Sequence, residues 1–501
     1  MSATLVRRFA VLGSIVSVSA IVLACSPAGK DSTVQSNAAA GTTSVLPSGG
    51  GASATGGSGT GGSVMLVGVD PNSPVTHMCE GLECQVQSCA NGGHTTISGK
   101  VYDPAGKVPL YNVAVYVPNA PVEPFKEGAS CDRCGASIVN PVTAAVTDES
   151  GAFTLTDAPV GQNIPLVIQV GKWRRQLTIP AVTACADNPM MDPQVTRLPR
   201  NHTEGDIPKI AITVGSADQM ECLPLRLGID PAEFTDATGT GRIHLYQGHH
   251  NNNRLPVQAF DAMHGGATIT PADDLWSTKD ALMKYDIVIL SCEGDSFQRQ
   301  KPMGLRQAMY DYASAGGRVF ASHWHNIWFA QGPNPVPTTG TWTDRPDPTD
   351  MGAAISATIN QSFPKGAALA KWLVNVQAST TLGTMMVEYP RDNLQAINPM
   401  VARDWITVQN PKVEAGADPT ATEYMSFNAP IGVPEEQICG RAVYTDLHVA
   451  SVDNNTTSNA LGFPASCELR DLSAQEKAVA FMLFDLSACV QNEDQPPKPP
   501  K

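Results

Sequence analysis

The chain has 501 residues and a formal net charge of -14, from 33 lysines and arginines against 47 aspartates and glutamates. An acidic chain without a concentrated basic face does not bind a phosphate backbone well, so we expect no nucleic-acid partner. The length is sufficient for two or three domains, each with its own core. Twelve cysteines are too many for a reduced cytosolic protein and favour a compartment in which disulfides persist.

Residues 1–24 have the parts of a secretory signal: Arg7 and Arg8, an apolar run too short to span a bilayer comfortably, and Val22-Leu23-Ala24 before Cys25. The Val-Leu-Ala-Cys sequence resembles the lipobox of bacterial lipoproteins, whose cysteine becomes the first mature residue and is acylated. The resemblance implies lipidation of Cys25 and the membrane as a partner. Because Ser26 follows, it implies a cell-envelope lipoprotein of the outer membrane, facing the periplasm or the surface. A secreted protein with an unmodified Cys25 is the alternative.

Two segments lack the apolar content of a folded domain. Residues 25–76 consist mainly of Gly, Ser, Thr and Ala, which bury too little surface to become ordered. They predict a flexible linker with a root-mean-square span of roughly 40 Å. Residues 491–501 are rich in Pro and Lys and predict a disordered tail.

Residues 77–200 predict a small antiparallel β-sandwich, because short strand-like runs alternate with Pro, Gly and Asp turns. The predicted strands are 96–102, 113–117, 143–147, 152–155 and 165–170. The runs ISGKVYD at 97–103, LYNVAV at 110–115 and TDESGAF at 147–153 resemble the carboxypeptidase regulatory-like family. That resemblance implies a transthyretin-like fold, sometimes grouped with carbohydrate-binding folds, in an accessory rather than a catalytic role.

The cysteines after Cys25 are candidates for disulfides: Cys79, Cys84, Cys89, Cys131, Cys134, Cys185, Cys222, Cys292, Cys439, Cys467 and Cys489. Eleven is an odd number, so at least one thiol is free or pairs outside the chain. The first six favour three disulfides among themselves, although Cys131-x-x-Cys134 also has the spacing of half a zinc site. We predict that Cys292 pairs with Cys222; the alternative is a reactive thiol with a neighbouring base.

Residues 207–490 alternate strands and helices, which predicts an α/β doubly wound parallel sheet, with an insertion at about 330–430. The predicted strands are 209–214, 242–246, 286–291, 318–322 and 441–445, with helices at 304–315 and after Ser473, where Glu476 completes a capping box.

Three runs carry a resemblance to the trehalose-utilisation-like branch of class I glutamine amidotransferase-like folds: YDIVIL at 285–290, GGRVFASH at 316–323, and RAVYT at 441–445, which follows Gly440 and precedes His448. The resemblance implies a flavodoxin-like scaffold. In that family a cysteine on a glycine-flanked turn follows the strand where this chain has Ser322-His323. The resemblance therefore implies a degenerate domain that lacks the glutaminase cysteine.

Candidate site residues lie just after the predicted strands, because open parallel sheets bind ligands beyond the carboxyl ends of their strands. The catalytic candidates are His323, His448, Asp446 and Glu293. The candidate ligands of zinc or another divalent metal are His323, His325, Asp446 and His448, since His-x-His on an extended segment places both imidazoles on one side. The ligand-binding candidates are Trp324, His325 and Trp328. Alternatively, these histidines only hydrogen-bond backbone at the strand ends.

The leading functional hypothesis is a surface-anchored lipoprotein that binds an extracellular carbohydrate or a cell-wall-related ligand. The first alternative is an extracellular hydrolase, with or without a metal, that acts on such a ligand. The second alternative is a structural or adhesive surface protein.

Overall fold

The computed structural model describes residues 79–134, 138–251, 255–343, 354–409, 420–449 and 459–499. Cys25, the predicted signal and the whole predicted linker lie outside these ranges. Among the described residues, no helix is long and apolar enough to cross a membrane. All of the described residues belong to one compact unit.

The segment before residue 200 forms two small sheets. The three-stranded sheet has the order β4-β1-β7 and the four-stranded sheet the order β3-β2-β5-β6. The strands are β1 (Thr96–Lys100), β2 (Ala114–Pro118), β3 (Pro141–Val146), β4 (Ala152–Thr156), β5 (Gly161–Val170), β6 (Trp173–Val182) and β7 (Asp187–Met190). All neighbours are antiparallel except β1 and β7. A small, mainly antiparallel β-sheet segment is therefore confirmed, and the sequence missed β6 and β7.

The larger segment is built on an eleven-stranded mixed sheet of order β11-β10-β8-β12-β13-β20-β19-β18-β15-β16, with β9 paired to β10. The strands are β8 (Ile210–Val214), β9 (Phe234–Thr235), β10 (Ile243–Gln247), β11 (Thr270–Pro271), β12 (Ile287–Leu290), β13 (Arg318–Ser322), β14 (Gly340–Trp342), β15 (Ile355–Ile359), β16 (Thr384–Val387), β17 (Leu394–Ile397), β18 (Arg403–Gln409), β19 (Thr420–Ala429) and β20 (Gly440–Thr445). From β11 to β20 neighbouring strands are parallel, and from β20 to β16 they are antiparallel. Strands β14 and β17 pair separately.

The helices are short: α1 (Cys222–Arg226), α2 (Ala272–Trp276), α3 (Lys279–Leu282), α4 (Met303–Ser314), α5 (Ile327–Ala330), α6 (Pro364–Asn375) and α7 (Ala474–Ser487). Among the described elements only α4, α6 and α7 reach three turns. The prediction of a fully parallel, doubly wound, flavodoxin-like sheet is therefore not supported, because the sheet is mixed. The reason is that the predicted insertion at 330–430 supplies antiparallel strands to the same sheet.

Four of the five disulfides among the described residues join distant parts of the chain. The five are Cys79–Cys84, Cys89–Cys185, Cys131–Cys439, Cys134–Cys489 and Cys222–Cys467. The expectation of three disulfides within the first segment is wrong, because Cys131 and Cys134 pair with cysteines of the second. The Cys222–Cys292 prediction is also wrong: Cys292 is a buried free thiol. These bonds indicate an extracellular or envelope protein.

Both segments share one hydrophobic core. Tyr111 stacks on Phe481 of α7 with ring centroids 5.7 Å apart, and the Trp372 indole of α6 donates to the Pro109 carbonyl at 2.7 Å. The predicted capping box of Ser473 and Glu476 is present at the start of α7. Near the C-terminus, within the predicted disordered tail, Glu493 is buried and paired with Arg441.

Candidate functional site

The candidate site lies where three adjacent parallel strands end. Strands β12, β13 and β20 are neighbours in the sheet, so the residues that follow them lie side by side. Cys292 follows β12, His323 follows β13 directly, and His448 comes three residues after β20. The sequence pattern predicted this meeting of strand ends, but it assigned Cys292 to a disulfide.

Cys292, His323 and His448 form a compact group, named here the Cys-His-His centre. One donor atom from each residue lies within 4.8 Å of the other two. The Cys292 Sγ is 3.3 Å from the His323 Nδ1, and the two imidazole rings are nearly perpendicular, with centroids 5.0 Å apart. The three residues are only 0%, 1% and 4% exposed, respectively. A thiol and two imidazoles therefore meet in a protected environment.

The backbone at His323 turns sharply at the end of β13. Its φ is 42°, a left-handed conformation that is uncommon for a residue other than glycine. Residues His323–Asn326 then form a turn of 3₁₀-helix. Such a residue is held in place by its surroundings and is often found at functional sites.

His448 is positioned as a neutral imidazole. Burial lowers its pKa well below the usual value, and the neighbouring His323 and Arg391 lower it further. Its Nδ1 is buried and has no hydrogen-bond partner among the described residues. The side-chain amide of Gln475 on α7 donates to the His448 carbonyl at 2.7 Å, which fixes the backbone. A neutral ring nitrogen is available to accept a proton or a metal ion.

His325 does not join this centre, which corrects the predicted metal ligand set. Its Nε2 contacts the Ser291 carbonyl at 2.9 Å, and its Nδ1 accepts from the Trp328 indole at 2.9 Å. Residues two apart in a 3₁₀ turn point in different directions, whereas the prediction assumed an extended segment. Trp328 is 2% exposed. His325 and Trp328 therefore support the strand end, as the alternative interpretation had it, and do not offer a sugar platform.

Glu293 links three of the strand-end loops. Its carboxylate accepts from the buried Lys301 ammonium at 2.5 Å and from the His249 backbone N–H at 2.8 Å. Its carbonyl accepts from the Ser216 hydroxyl at 2.6 Å. Burial raises the pKa of Glu293, and Lys301 opposes that shift. Glu293 was a catalytic candidate, but its contacts are those of a residue that positions Cys292.

Two buried carboxyl groups accompany the centre. Asp446 accepts from the Tyr444 hydroxyl at 2.7 Å, and Glu423 of β19 accepts from the Arg391 backbone N–H at 3.1 Å. Burial, and then the negative charge of Asp446, raise the pKa of Glu423 well above its usual value, while His323 lowers it. Asp446 is not part of the group whose donor atoms lie within 4.8 Å. Sequence reasoning missed Glu423, which lies in the predicted insertion.

Trp324 is the most accessible of the candidates beside the centre. It is partly exposed, and its ring lies against His323 with centroids 5.0 Å apart. A partly exposed aromatic ring beside the centre stays a candidate for ligand contact.

A cavity of about 870 Å³ lies at the opposite end of β20, beside the turn that joins β19 to β20. Its lining includes Arg133, Arg403, Asn428, Glu435, Glu436 and Asp494. Arg403 and Asp494 pair at 2.7 Å, and the Asn428 Oδ1 has no hydrogen-bond partner among the described residues. The volume is in the range of small-molecule sites.

A scan against protein-family models finds no match, and a search of curated proteins also finds none. Two solved structures are similar over part of the chain: an N-terminal and a C-terminal interface mutant of a type II cohesin–X-dockerin complex from Acetivibrio cellulolyticus. Each is 18% identical, covers 27% of this chain and 85% of the other, and has a TM-score of 0.15. A score this low does not establish a common fold.

Proposed function

We propose that this chain is a lipid-anchored protein of the cell envelope and a hydrolase that acts on an extracellular carbohydrate or cell-wall-related ligand. The observation that carries the proposal is the meeting of Cys292, His323 and His448 within 4.8 Å. It favours the hydrolase alternative over simple binding, because a thiol and two imidazoles are groups that carry out proton transfer and nucleophilic attack.

The roles follow from protonation. His448 is neutral at physiological pH, so it accepts a proton from an attacking nucleophile and returns it to the leaving group. His323 lies 3.3 Å from the Cys292 sulfur and orients or activates it. Burial strengthens these interactions, since little water screens them.

We also propose that the parallel half of the large sheet is a degenerate amidotransferase-like scaffold. Support comes from the sequence runs around β12, β13 and β20 and from the left-handed turn at His323. His323 stands where that family has its cysteine, so the chemistry differs from glutamine hydrolysis. The preceding small sheets then act as an accessory segment of the carboxypeptidase regulatory-like kind.

The test is a panel of nitrophenyl glycosides and acetyl esters, incubated with the full-length protein and with His448→Gln. We expect hydrolysis of at least one class by the parent and a loss of about 100-fold in the variant. His264→Gln is the matched control, because His264 is an exposed histidine that pairs with Asp261. No hydrolysis of any panel member by the parent, or equal rates in parent and His448→Gln, contradicts the proposal.

The second candidate function is binding of such a ligand without catalysis, and the 870 Å³ cavity favours it. It predicts that Asn428→Leu abolishes binding to an oligosaccharide array while His448→Gln does not. The structural or adhesive alternative predicts that neither substitution changes any small-ligand readout.

A further inference from the structure

We propose that Cys292, His323 and His448 together bind one transition-metal ion of the zinc type and leave one coordination position open. The inference deepens the proposed function and rests on the same centre. It replaces the donor set expected from sequence, in which His325 and Asp446 stood in the place of Cys292.

The distances match those of a metal site. With Zn–S near 2.3 Å and Zn–N near 2.0–2.1 Å, tetrahedral geometry separates a sulfur and a nitrogen ligand by about 3.5 Å. The Cys292 Sγ and His323 Nδ1 are 3.3 Å apart, and all three donor atoms lie within 4.8 Å of one another. Binding one ion requires side-chain rotations that shorten the longest of these separations.

The donor types select the metal. A thiolate with two neutral imidazoles suits zinc, cobalt or copper, whereas magnesium and calcium take oxygen ligands. The His448 Nδ1 is buried without a partner among the described residues, which costs free energy unless something binds it.

Among the described residues, no fourth protein donor belongs to this group. Both ring nitrogens of His325 already have hydrogen-bond contacts, and Asp446 lies outside the group of mutually close donors. Structural zinc sites have four protein ligands, while catalytic sites have three and a water or substrate. Three ligands therefore indicate the catalytic type, in which the ion activates water for attack.

The first experiment is elemental analysis of the exported full-length protein, followed by removal of metal and titration with Co²⁺. We expect about one transition-metal ion per chain and a thiolate-to-cobalt charge-transfer band. Cys292→Ser and His448→Gln are expected to weaken Co²⁺ binding by about 100-fold or more and to remove or shift the band. His264→Gln keeps both. Unchanged binding and an unchanged band in Cys292→Ser overturn the proposal.

X-ray absorption of the metal-loaded parent makes the result independent of whether the variants fold. One sulfur and two imidazole nitrogens around the ion support the inference, and a shell without sulfur overturns it. A folded parent that neither contains metal nor takes up Co²⁺ also overturns it. If Cys292-dependent hydrolysis persists without metal, the metal site fails and the proposed function stands. If the protein binds metal but hydrolyses no substrate, the metal site stands and the proposed function fails.

Discussion

The two ends of β20 differ: one carries a buried group of potentially reactive side chains, and the other borders a large cavity. At its carboxyl end lies the Cys-His-His centre, which is closed and at most 4% exposed. At its amino end lies a wide cavity of about 870 Å³ lined by ion-paired and exposed charges. The six residues of β20, Gly440–Thr445, place these two sites roughly 20 Å apart. One strand thus extends from the buried Cys-His-His centre to the cavity.

The largest described cavity and the group of thiol and imidazole side chains lie in different regions of this molecule. Charges near the cavity end are neutralised by partners: Arg441 pairs with Asp485 and Glu493, and Asp485 pairs with Lys365. The centre contains a thiol and two imidazoles instead of ion pairs, and its His448 Nδ1, like the Asn428 Oδ1 at the cavity, has no hydrogen-bond partner among the described residues. Paired charges hold a fold together, while an unpartnered buried nitrogen is available for chemistry.

The largest expected effect is on stability, through Asp485→Asn. This substitution leaves the buried Lys365 and Arg441 facing a neutral amide, because Asp485 lies 2.7 Å and 2.9 Å from them. We expect a loss of about 3–5 kcal/mol in the free energy of unfolding, measured by urea denaturation. Activity per folded molecule is expected to persist. A loss below about 1 kcal/mol contradicts the role given to this network.

Cys292→Ser is expected to have the reverse profile. Serine is nearly the same size as cysteine, so we expect unfolding midpoints close to those of the parent. The rate of hydrolysis is expected to fall by about 100-fold, because the sulfur beside His323 is lost. Steady-state kinetics and a parallel melting curve check both parts. An active Cys292→Ser enzyme refutes the assignment of chemistry to this end of β20.

A pH-dependent effect is expected at Glu221, on the loop after β8. Burial raises its pKa from 4.5 to about 8. Between these values the folded chain keeps a proton that the unfolded chain has lost. The free energy of unfolding therefore falls as pH rises from 4.5 to about 8, by at most about 1.4 kcal/mol per pH unit, and levels off above.

Glu221→Gln removes that dependence. We expect the variant to gain stability relative to the parent as pH rises from about 5 to about 8, in urea denaturation at several pH values. Parallel stability curves for parent and variant are incompatible with the raised pKa.

The smallest effect is expected at the rim of the cavity. Asp494→Asn breaks an ion pair with Arg403 in which Asp494 is 58% exposed. Exposed pairs contribute little, so we expect a change below about 1 kcal/mol in urea denaturation. If Asp494→Asn lowers the free energy of unfolding as much as Asp485→Asn does, the distinction between the exposed ion pair and the buried network is wrong.

Much of the parallel sheet was predictable from sequence, because continuous apolar runs such as Ile287–Leu290 are typical of strands buried on both faces. The antiparallel half was not predictable, since the residues that form it lie in a Pro- and Gly-rich region that was interpreted as an insertion. The rule that ligands bind beyond the carboxyl ends of parallel strands identified His323 and His448. It failed for His325, because a 3₁₀ turn replaces the extended backbone on which the His-x-His pattern depends.

Disulfide pairing could not be predicted from the sequence, for a different reason. An odd count showed that at least one thiol is unpaired within the chain, but it does not say which one. Cys131 and Cys134 reach partners more than 300 residues away, with separations of 308 and 355. Once Cys222 is bonded to Cys467, Cys292 is left as the free thiol among the described cysteines. Its position just after a buried strand was a signal for the site, but the sequence analysis assigned Cys292 to a disulfide.

The most direct test is incubation of the full-length protein with purified cell-wall glycan, with released fragments measured by mass spectrometry. Cys292→Ser, His448→Gln and Asn428→Leu are compared with the parent. We predict fragments from the parent and from Asn428→Leu, and none above background from the two centre variants. No release by the parent, or release by Cys292→Ser at the parental rate, contradicts the claim that the carboxyl end of β20 is the active site.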